Sequence, residues 1–371
     1  MVQKILSTAI AMAVLFNAAA QGTAVQSVPQ TTTSTTEETP ESQQEKSPFR
    51  LTGFADVYYK YDFNRQAGNN RTSFTNSHNS FELGMISLKA EHTIGKIGMV
   101  ADLGFGQRAD DFSYNDNNSR VALKQLYLSY APMENFKISA GSWATHIGYE
   151  LVDAPANRNY SMSYMFSYGP FFHTGVKGEL TLGKNTFMLG VANPSDLKST
   201  SLEHKYLIGQ YATRMAEDKL SLYISFLSGK PNDSTRSGQL DAVLSGSFSD
   251  QFSMGFNGTI ASGRNRIDGK YGNASNWWGS AVYINVDPNP WLGMTLRTEY
   301  FDDNKQMNVF GVAPRGGAVF SNTFSLNFTI DKLRLIPEFR VDNASEAIYM
   351  TSSGTMTKTS SYALLAAVYS F

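Results

Sequence analysis

The chain has 371 residues, with 31 basic and 32 acidic side chains and a formal net charge of −1. That balance argues against nucleic acid and against a polyanion-binding surface. A mean hydropathy of −0.28, with no apolar run after residue 20 near the roughly 18 residues of a membrane helix, excludes a helical membrane protein.

Charged residues are only 17% and aromatic residues reach 13%, a deficit of charge against the roughly 25% of soluble domains. A strand barrel in lipid shows its apolar residues at every second position, so its mean hydropathy stays low.

The chain opens with an export signal over 1–20. Lys4 supplies the positive start, Ile5 to Phe16 a short apolar core, and Ala18-Ala19-Ala20 small residues before a cut near Gln21. The core is too short to span a membrane, and no Cys follows it, which excludes a lipid-anchored lipoprotein. With export and no cysteine, no disulfide staples the fold, and stability rests on the backbone ladder and the lipid. Residues 21–48 are rich in Gln, Thr, Ser, Glu and Pro and read as a disordered periplasmic tail.

From Phe49 the period becomes two. In Arg50–Asp62, Leu51, Gly53, Ala55, Val57, Tyr59 and Tyr61 share one side; Arg50, Thr52, Asp56, Tyr58, Lys60 and Asp62 share the other. A lipid-facing strand ending in an aromatic girdle has this division. It recurs around Ile97–Phe105, Phe172–Leu182, Leu292–Tyr300, Phe320–Ile330 and Leu333–Val341. In 80–92 and 204–215 the phase slips, as a bulge would cause.

The connectors alternate in length. Gly95-Lys96, 132–135, 183–185, 216–219, Ser249-Asp250, 287–290 and Asp331-Lys332 are short turns. Longer polar loops are expected near 64–79, 107–120, 148–170, 193–203, 229–237, 263–276, 302–318 and 343–360. Short on one rim and long on the other is the periplasm/exterior asymmetry of outer-membrane barrels. Seven short turns and eight long loops join sixteen strands, with fourteen or eighteen as alternatives. Every backbone polar group must be paired in lipid, and only closure removes the edges. Sixteen strands leave an aqueous lumen. The fold class is therefore all-β, a transmembrane antiparallel barrel over 49–371.

The last strand ends the chain. Ala363, Leu365, Ala367, Tyr369 and Phe371 form one apolar face, with no proline or charge in the run.

Leu51–Asn64, Asn79–Met85, Ala101–Gly106 and Lys124–Tyr130 resemble stretches of the OmpL-like putative β-barrel porin family of Bacteroides-type bacteria. The most specific match is Gly141-Ser-Trp-Ala-Thr-His-Ile-Gly-Tyr-Glu150, continued by Asn157–Tyr160 and Tyr168–Gly175. The resemblance covers about 51–195, whereas 229–360 carries none of its motifs. It implies an outer-membrane channel and carries over no catalytic or binding residue. Such barrels also present a C-terminal aromatic strand to the barrel-assembly machinery, a role that falls here on Tyr369 and Phe371.

In general porins the third long loop folds into the lumen and narrows it. Here that loop carries Glu150, Asp153, Arg158, Tyr160, Tyr164 and Tyr168, with Met162, Met165 and Phe166. As a constriction it would set pore size with carboxylates and a cation; the alternative is an external loop packed on the rim. Lys60, Lys177, Glu179, Arg297, Glu299, Arg334, Glu338 and Arg340 alternate with lipid-facing residues and are read as lumen wall. A charge facing lipid near the midplane costs about 2–4 kcal/mol. Opposite charges two apart, Lys177 with Glu179 and Arg297 with Glu299, suggest walls of mixed sign and weak ion selectivity.

An enzyme is the rival class, since barrel phospholipases and proteases exist. The histidines are His78, His92, His146, His173 and His204. His78 beside Ser77 and Ser80 reads as a solvated rim. His146 and His173 flank the third loop without ligand spacing, so no metal is expected. Gly104-Phe-Gly106 and Gly316-Gly317 open no helix and are not phosphate loops. No catalytic residue and no cofactor are expected. Residues 21–48 are too short and polar for the plug of an energy-coupled receptor. Passive diffusion of small hydrophilic solutes and ions through a porin is the default. A structural or adhesive barrel and a substrate-specific channel are the alternatives, and a barrel hydrolase is the least favoured. Outer-membrane lipid and the assembly machinery are the other expected partners. A homotrimer stays open, because lipid-facing and subunit-facing strands are both apolar.

Overall fold

The computed structural model describes residues 49–115, 121–311 and 313–371. The export signal (1–20) and the tail (21–48) lie outside the described residues. Sixteen long strands follow in chain order: β1 (Arg50–Asp62), β2 (Ser80–Ile94), β3 (Ile97–Phe105), β4 (Val121–Met133), β5 (Phe136–Ala144), β6 (Phe172–Leu182), β7 (Asn185–Ala192) and β8 (Tyr206–Met215). The second half comprises β9 (Leu220–Asn232), β10 (Thr235–Ser249), β11 (Phe252–Ile267), β12 (Ser275–Asn289), β13 (Leu292–Asp303), β14 (Gly317–Ile330), β15 (Leu333–Ala344) and β16 (Thr359–Ser370). Each pairs antiparallel with the next, and β16 pairs with β1 from Phe54↔Ser370 to Asp62↔Tyr362. The sheet is therefore a closed ring with no free edge. Two-residue ladders, Lys270–Tyr271 on β11 and Tyr349–Met350 with Met356–Thr357, decorate the long-loop rim.

The pleat sorts the side chains as the alternation predicts. In β1, Phe54, Asp56, Tyr58, Lys60 and Asp62 are buried, while Leu51 and Val57 are exposed on the outer face. Phe81 and Leu83 of β2 are 87% and 75% exposed, an arrangement only lipid makes favourable. Aromatic pairs such as Tyr59 with Phe81 (4.8 Å) and Trp278 with Tyr300 (5.3 Å) mark the long-loop end of the apolar band.

All seven short turns fall between the strands expected. The phase slip in 80–92 is a bulge: Ala55 faces Ile86, but Val57 faces Leu83. The extra residue lets Asp56 Oδ1 accept the Met85 N–H at 3.1 Å. Three expectations need correction. The slip in 204–215 is not a bulge, since β8 keeps register with both neighbours. It reflects apolar Ile208 turned inward onto Trp143, Ile147 and Leu227. The stretch 229–237 is no long loop either, because β9 and β10 run through it and turn at Asp233-Ser234. Polar residues there mark strand that rises beyond the lipid, where no apolar face is required. Phe172, read as lipid-facing, is also fully buried, packed on Phe112 at 5.2 Å and under Lys198.

Candidate functional site

β5 ends at Ala144 and β6 begins at Phe172, and the chain between them turns into the barrel. Its first residues cross the interior strand by strand. Gln210 of β8 donates to the His146 carbonyl at 3.0 Å, and His146 Nε2 lies 3.1 Å from the Phe226 carbonyl of β9. Asp241 of β10 accepts the Gly148 N–H at 3.0 Å. Tyr149 stacks on Tyr283 of β12 at 4.1 Å, and Glu150 reaches Arg297 of β13 at 2.5 Å. An extended chain advances roughly 3.3 Å per residue and strands lie about 4.8 Å apart, so a few residues can bridge several staves.

A turn follows. Asn157 closes it by accepting the Leu151 N–H at 3.0 Å and donating to the Asp153 carbonyl at 3.2 Å. Asp153 pairs with Lys124 of β4 at 2.6 Å. Arg158 forks onto Asp287 of β12 at 2.5 and 3.1 Å and donates to Thr295 at 2.8 Å.

Residues 159–166 then climb along β13, β14, β15 and β1. Glu338 accepts the N–H groups of Tyr160 and Ser161 at 2.7 and 3.2 Å. Glu299 accepts those of Tyr164 and Met165, both at 2.9 Å. Tyr160 Oη donates to Asp56 at 2.5 Å, and Tyr164 Oη to Asp342 at 2.9 Å. Burial first, with the adjoining carboxylates second or third, raises both phenols well above the usual tyrosine range. A single helical turn, α2 (Tyr164–Ser167), ends the climb, its start capped by Ser163 Oγ accepting from Phe166 N. Tyr168 Oη donates to the Arg71 carbonyl at 2.9 Å, and burial pushes this phenol up to about 12.

The wall charges divide into two groups. Arg297, Glu299, Arg334, Glu338 and Arg340 point inward and bind the loop. Arg297 also donates to the Ser161 carbonyl at 2.7 Å, Arg340 to that of Met162 at 2.7 Å, and Arg334 to those of Ala154 and Asn157 at 2.9 and 2.8 Å. Arg297 and Glu299 do not pair with each other, as their spacing suggested; each is drawn onto a different part of the loop. Lys60 is covered by the first long loop, donating to the Thr75 carbonyl at 2.7 Å, and stands 4.1 Å from the Tyr362 ring centre. Lys177 and Glu179 remain wall charges that face one another at 3.5 Å, with Lys137 on Glu179 at 3.1 Å.

Several partners were not singled out by sequence. Asp56, Lys124, Asp241 and Asp342 sit at inward positions of strands, and that parity was their only signal. Arg108, buried in α1 (Gln107–Phe112) of the second long loop, donates to the Val152 carbonyl at 3.1 Å; nothing in the sequence announced it. His146 and His173 lie ring to ring at 4.9 Å. Burial, with Lys177 as a lesser contributor, holds His146 down at about 4. Among the described residues no cluster of three His, Asp or Glu is arranged for a metal.

The loop separates two cavities. The outer one, about 610 Å³, is lined by residues including Arg71, Asp111, Tyr114, Tyr168 and Asn308. The inner one, about 240 Å³, is lined by residues including Arg158, Asp287, Asn327 and Arg334.

A family model described as putative beta-barrel porin-2, OmpL-like, matches residues 48–371, far beyond the 51–195 legible by motif. No curated protein sequence matches the chain. Among solved structures, the outer-membrane channel DcaP of Acinetobacter baumannii is similar, with TM-score 0.62 at 14% identity over 89% of this chain and 99% of that one. An anion-selective porin from Comamonas acidovorans gives TM-score 0.60 at 11% identity, covering 88% and 100%. OmpT of Vibrio cholerae gives 0.56 at 9%, covering 89% and 99%. At these identities the likeness shows the fold.

Proposed function

The chain belongs to the OmpL-like beta-barrel porin-2 family of outer-membrane channels, and we propose that it is a non-enzymatic, passive porin whose conducting path is set by the loop 145–171. The observation that carries this is the ligation of the loop backbone by wall side chains. Glu299 and Glu338 take four consecutive-pair N–H groups, and Arg297, Arg334 and Arg340 take four carbonyls. A loop so held constricts the lumen at a fixed cross-section.

In this reading Glu150, Asp153, Tyr160 and Tyr164 anchor the constriction, and Arg158 and Tyr168 border the space left to solute. Arg158 faces the inner cavity and Tyr168 the outer one. Small hydrophilic solutes pass by size, and the balanced charge of the path gives weak ion selectivity. The mature protein assembles as a homotrimer, by analogy with OmpT of Vibrio cholerae, solved in a trimer form.

Deletion of 154–166 tests the assignment in planar bilayers: single-channel conductance rises if the loop is the constriction. Unchanged conductance removes the loop from the path. A substrate-specific channel is the second reading, favoured by the aromatic and amide lining of the outer cavity. Liposome swelling with graded sugars and amino acids separates the two, since a size-only pore shows a smooth cut-off.

A further inference from the structure

The outer face of β10 and β11 carries an arrangement that neither the lumen nor the apolar band explains. Up these strands the outward-facing pairs are Leu240 with Ile260, Gly238 with Ser262, then Arg236 with Arg264. The two arginines are directly opposite in the ladder and both exposed. Like charges so placed destabilise a sheet. Arg266 continues the row on β11 and pairs with Tyr271 in the short ladder. Lys230 follows outward-facing Ser228 on β9, whose partner is Gly238.

Among the described residues, none of Arg236, Arg264, Arg266 and Lys230 forms an ion pair. The acids on these tips are Asp233, which His204 holds at 2.9 Å, and Asp268 in the turn. Arg266 Nε donates to the Gly269 carbonyl at 3.0 Å, and the Arg236 guanidinium lies 4.3 Å from the Tyr271 ring centre. The Tyr271 hydroxyl is buried and without a hydrogen-bond partner.

Height decides what these cations meet. Leu240, Ile260 and Trp278, which faces Ile260, sit near the top of the apolar band. Arg236 and Arg264 stand four residues beyond, roughly 13 Å along the strand at about 3.3 Å per residue, or about 10 Å in height at a tilt near 40°. The headgroup zone adds roughly 5–8 Å on each side of the hydrocarbon, and arginine stems can lean to meet it.

We infer that Arg236, Arg264 and Arg266, flanked by Lys230, form a binding site for the phosphate groups of an outer-leaflet glycolipid. Guanidinium forks match phosphate oxygens in pairs. A shared phosphate between Arg236 and Arg264 turns their repulsion into a bridge, and the apolar staves below receive the acyl chains.

The test uses the full-length protein in dodecyl maltoside with fluorescent bisphosphorylated lipid A in mixed micelles. R236Q/R264Q/R266Q is expected to bind roughly tenfold or more weakly, because charge-assisted forks are lost, while single-channel conductance and resistance to unboiled SDS stay as in the parent. Equal binding by the triple variant overturns the site. Equal binding of dephosphorylated lipid A removes phosphate as the recognised group. Displacement by millimolar inorganic phosphate as effective as by unlabelled lipid A overturns the lipid assignment. Should the triple variant not fold, R264Q alone supplies the same readouts.

Discussion

Arg297 and Glu150 meet at 2.5 Å although 147 positions separate them, and both are buried, at 0% and 4% exposure. The pair does not stand alone. Arg297 also holds the Ser161 carbonyl and Thr323 Oγ1 at 3.0 Å, and Glu150 Oε2 accepts the Ser163 N–H at 2.7 Å. One guanidinium thus ties two separate stretches of the loop to β13.

Removing that tie should free the loop without opening the barrel. Breaking a buried pair by deleting one partner costs about 3–5 kcal/mol, because the other charge is stranded. Arg297→Met is therefore expected to give larger and noisier single-channel currents, with the barrel still resistant to unboiled SDS. Adding Glu150→Gln should soften the defect, since no buried carboxylate is then left unpaired. Parent-like currents from R297M would show that other contacts hold the loop.

His146 makes loop docking sensitive to acid. Burial, the largest influence, and Lys177 lower its pKa to about 4, against the opposing Phe226 carbonyl; the free imidazole titrates near 6.5. The unfolded loop therefore binds more protons between those values, so docking strengthens as pH rises through that window. Its contribution is complete above about 6.5 and is lost as pH falls toward 4, up to roughly 3 kcal/mol. Proteolysis of 145–171 in reconstituted protein should accelerate from pH 7 to pH 4.5, once the protease's own pH profile is normalised. His146→Gln should flatten the change, and an unaltered profile in that variant would assign the effect to another group.

How much of this was legible follows from what sequence encodes locally. Parity in a strand is a local property, so the inward placing of Lys60, Lys177, Arg297 and Glu338 could be read directly. The destination of an inward side chain is not local. Glu338 finds Tyr160 N–H across 178 positions, and no spacing rule connects them. Parity also misleads above the membrane: β9 and β10 continue through 229–237 where both faces meet water and polar residues no longer signal a loop. Arg108 escaped for a related reason, since the six-residue α1 is too short for a periodic pattern.

Gly141 on β5 should tolerate no side chain. Its φ is +134°, and an added Cβ would collide with the Leu126 carbonyl oxygen and Tyr127 Cα of β4. Overpacking costs about 1–3 kcal/mol, and a left-handed backbone adds roughly 1–2 kcal/mol for an L-residue. Gly141→Val is expected to lower the fraction of folded, heat-modifiable barrel. Gly68→Ala, where the Cβ meets nothing within 4 Å, serves as the neutral control. A wild-type yield from G141V would mean that β4 can shift to make room.

The final residue closes the ring, and this fixes what its loss should do. Phe371 N–H donates to the Gly53 carbonyl at 2.9 Å, and the Gly53 N–H donates back at 3.0 Å. The Phe371 ring lies against Gly53, in the space a Cβ would need. Deleting Phe371 removes both bonds, each worth about 0.5–1.5 kcal/mol net, and also the aromatic ring. Phe371→Ala keeps the two backbone bonds and removes only the ring. If the ring is the assembly signal, both variants reach the outer membrane at low levels. If closure alone matters, only the deletion does. Conductance of whatever assembles should stay at the parent value, because Gly53 lies on the short-turn rim, away from the loop anchored at Arg297. Normal levels of the deletion variant would remove Phe371 from assembly altogether.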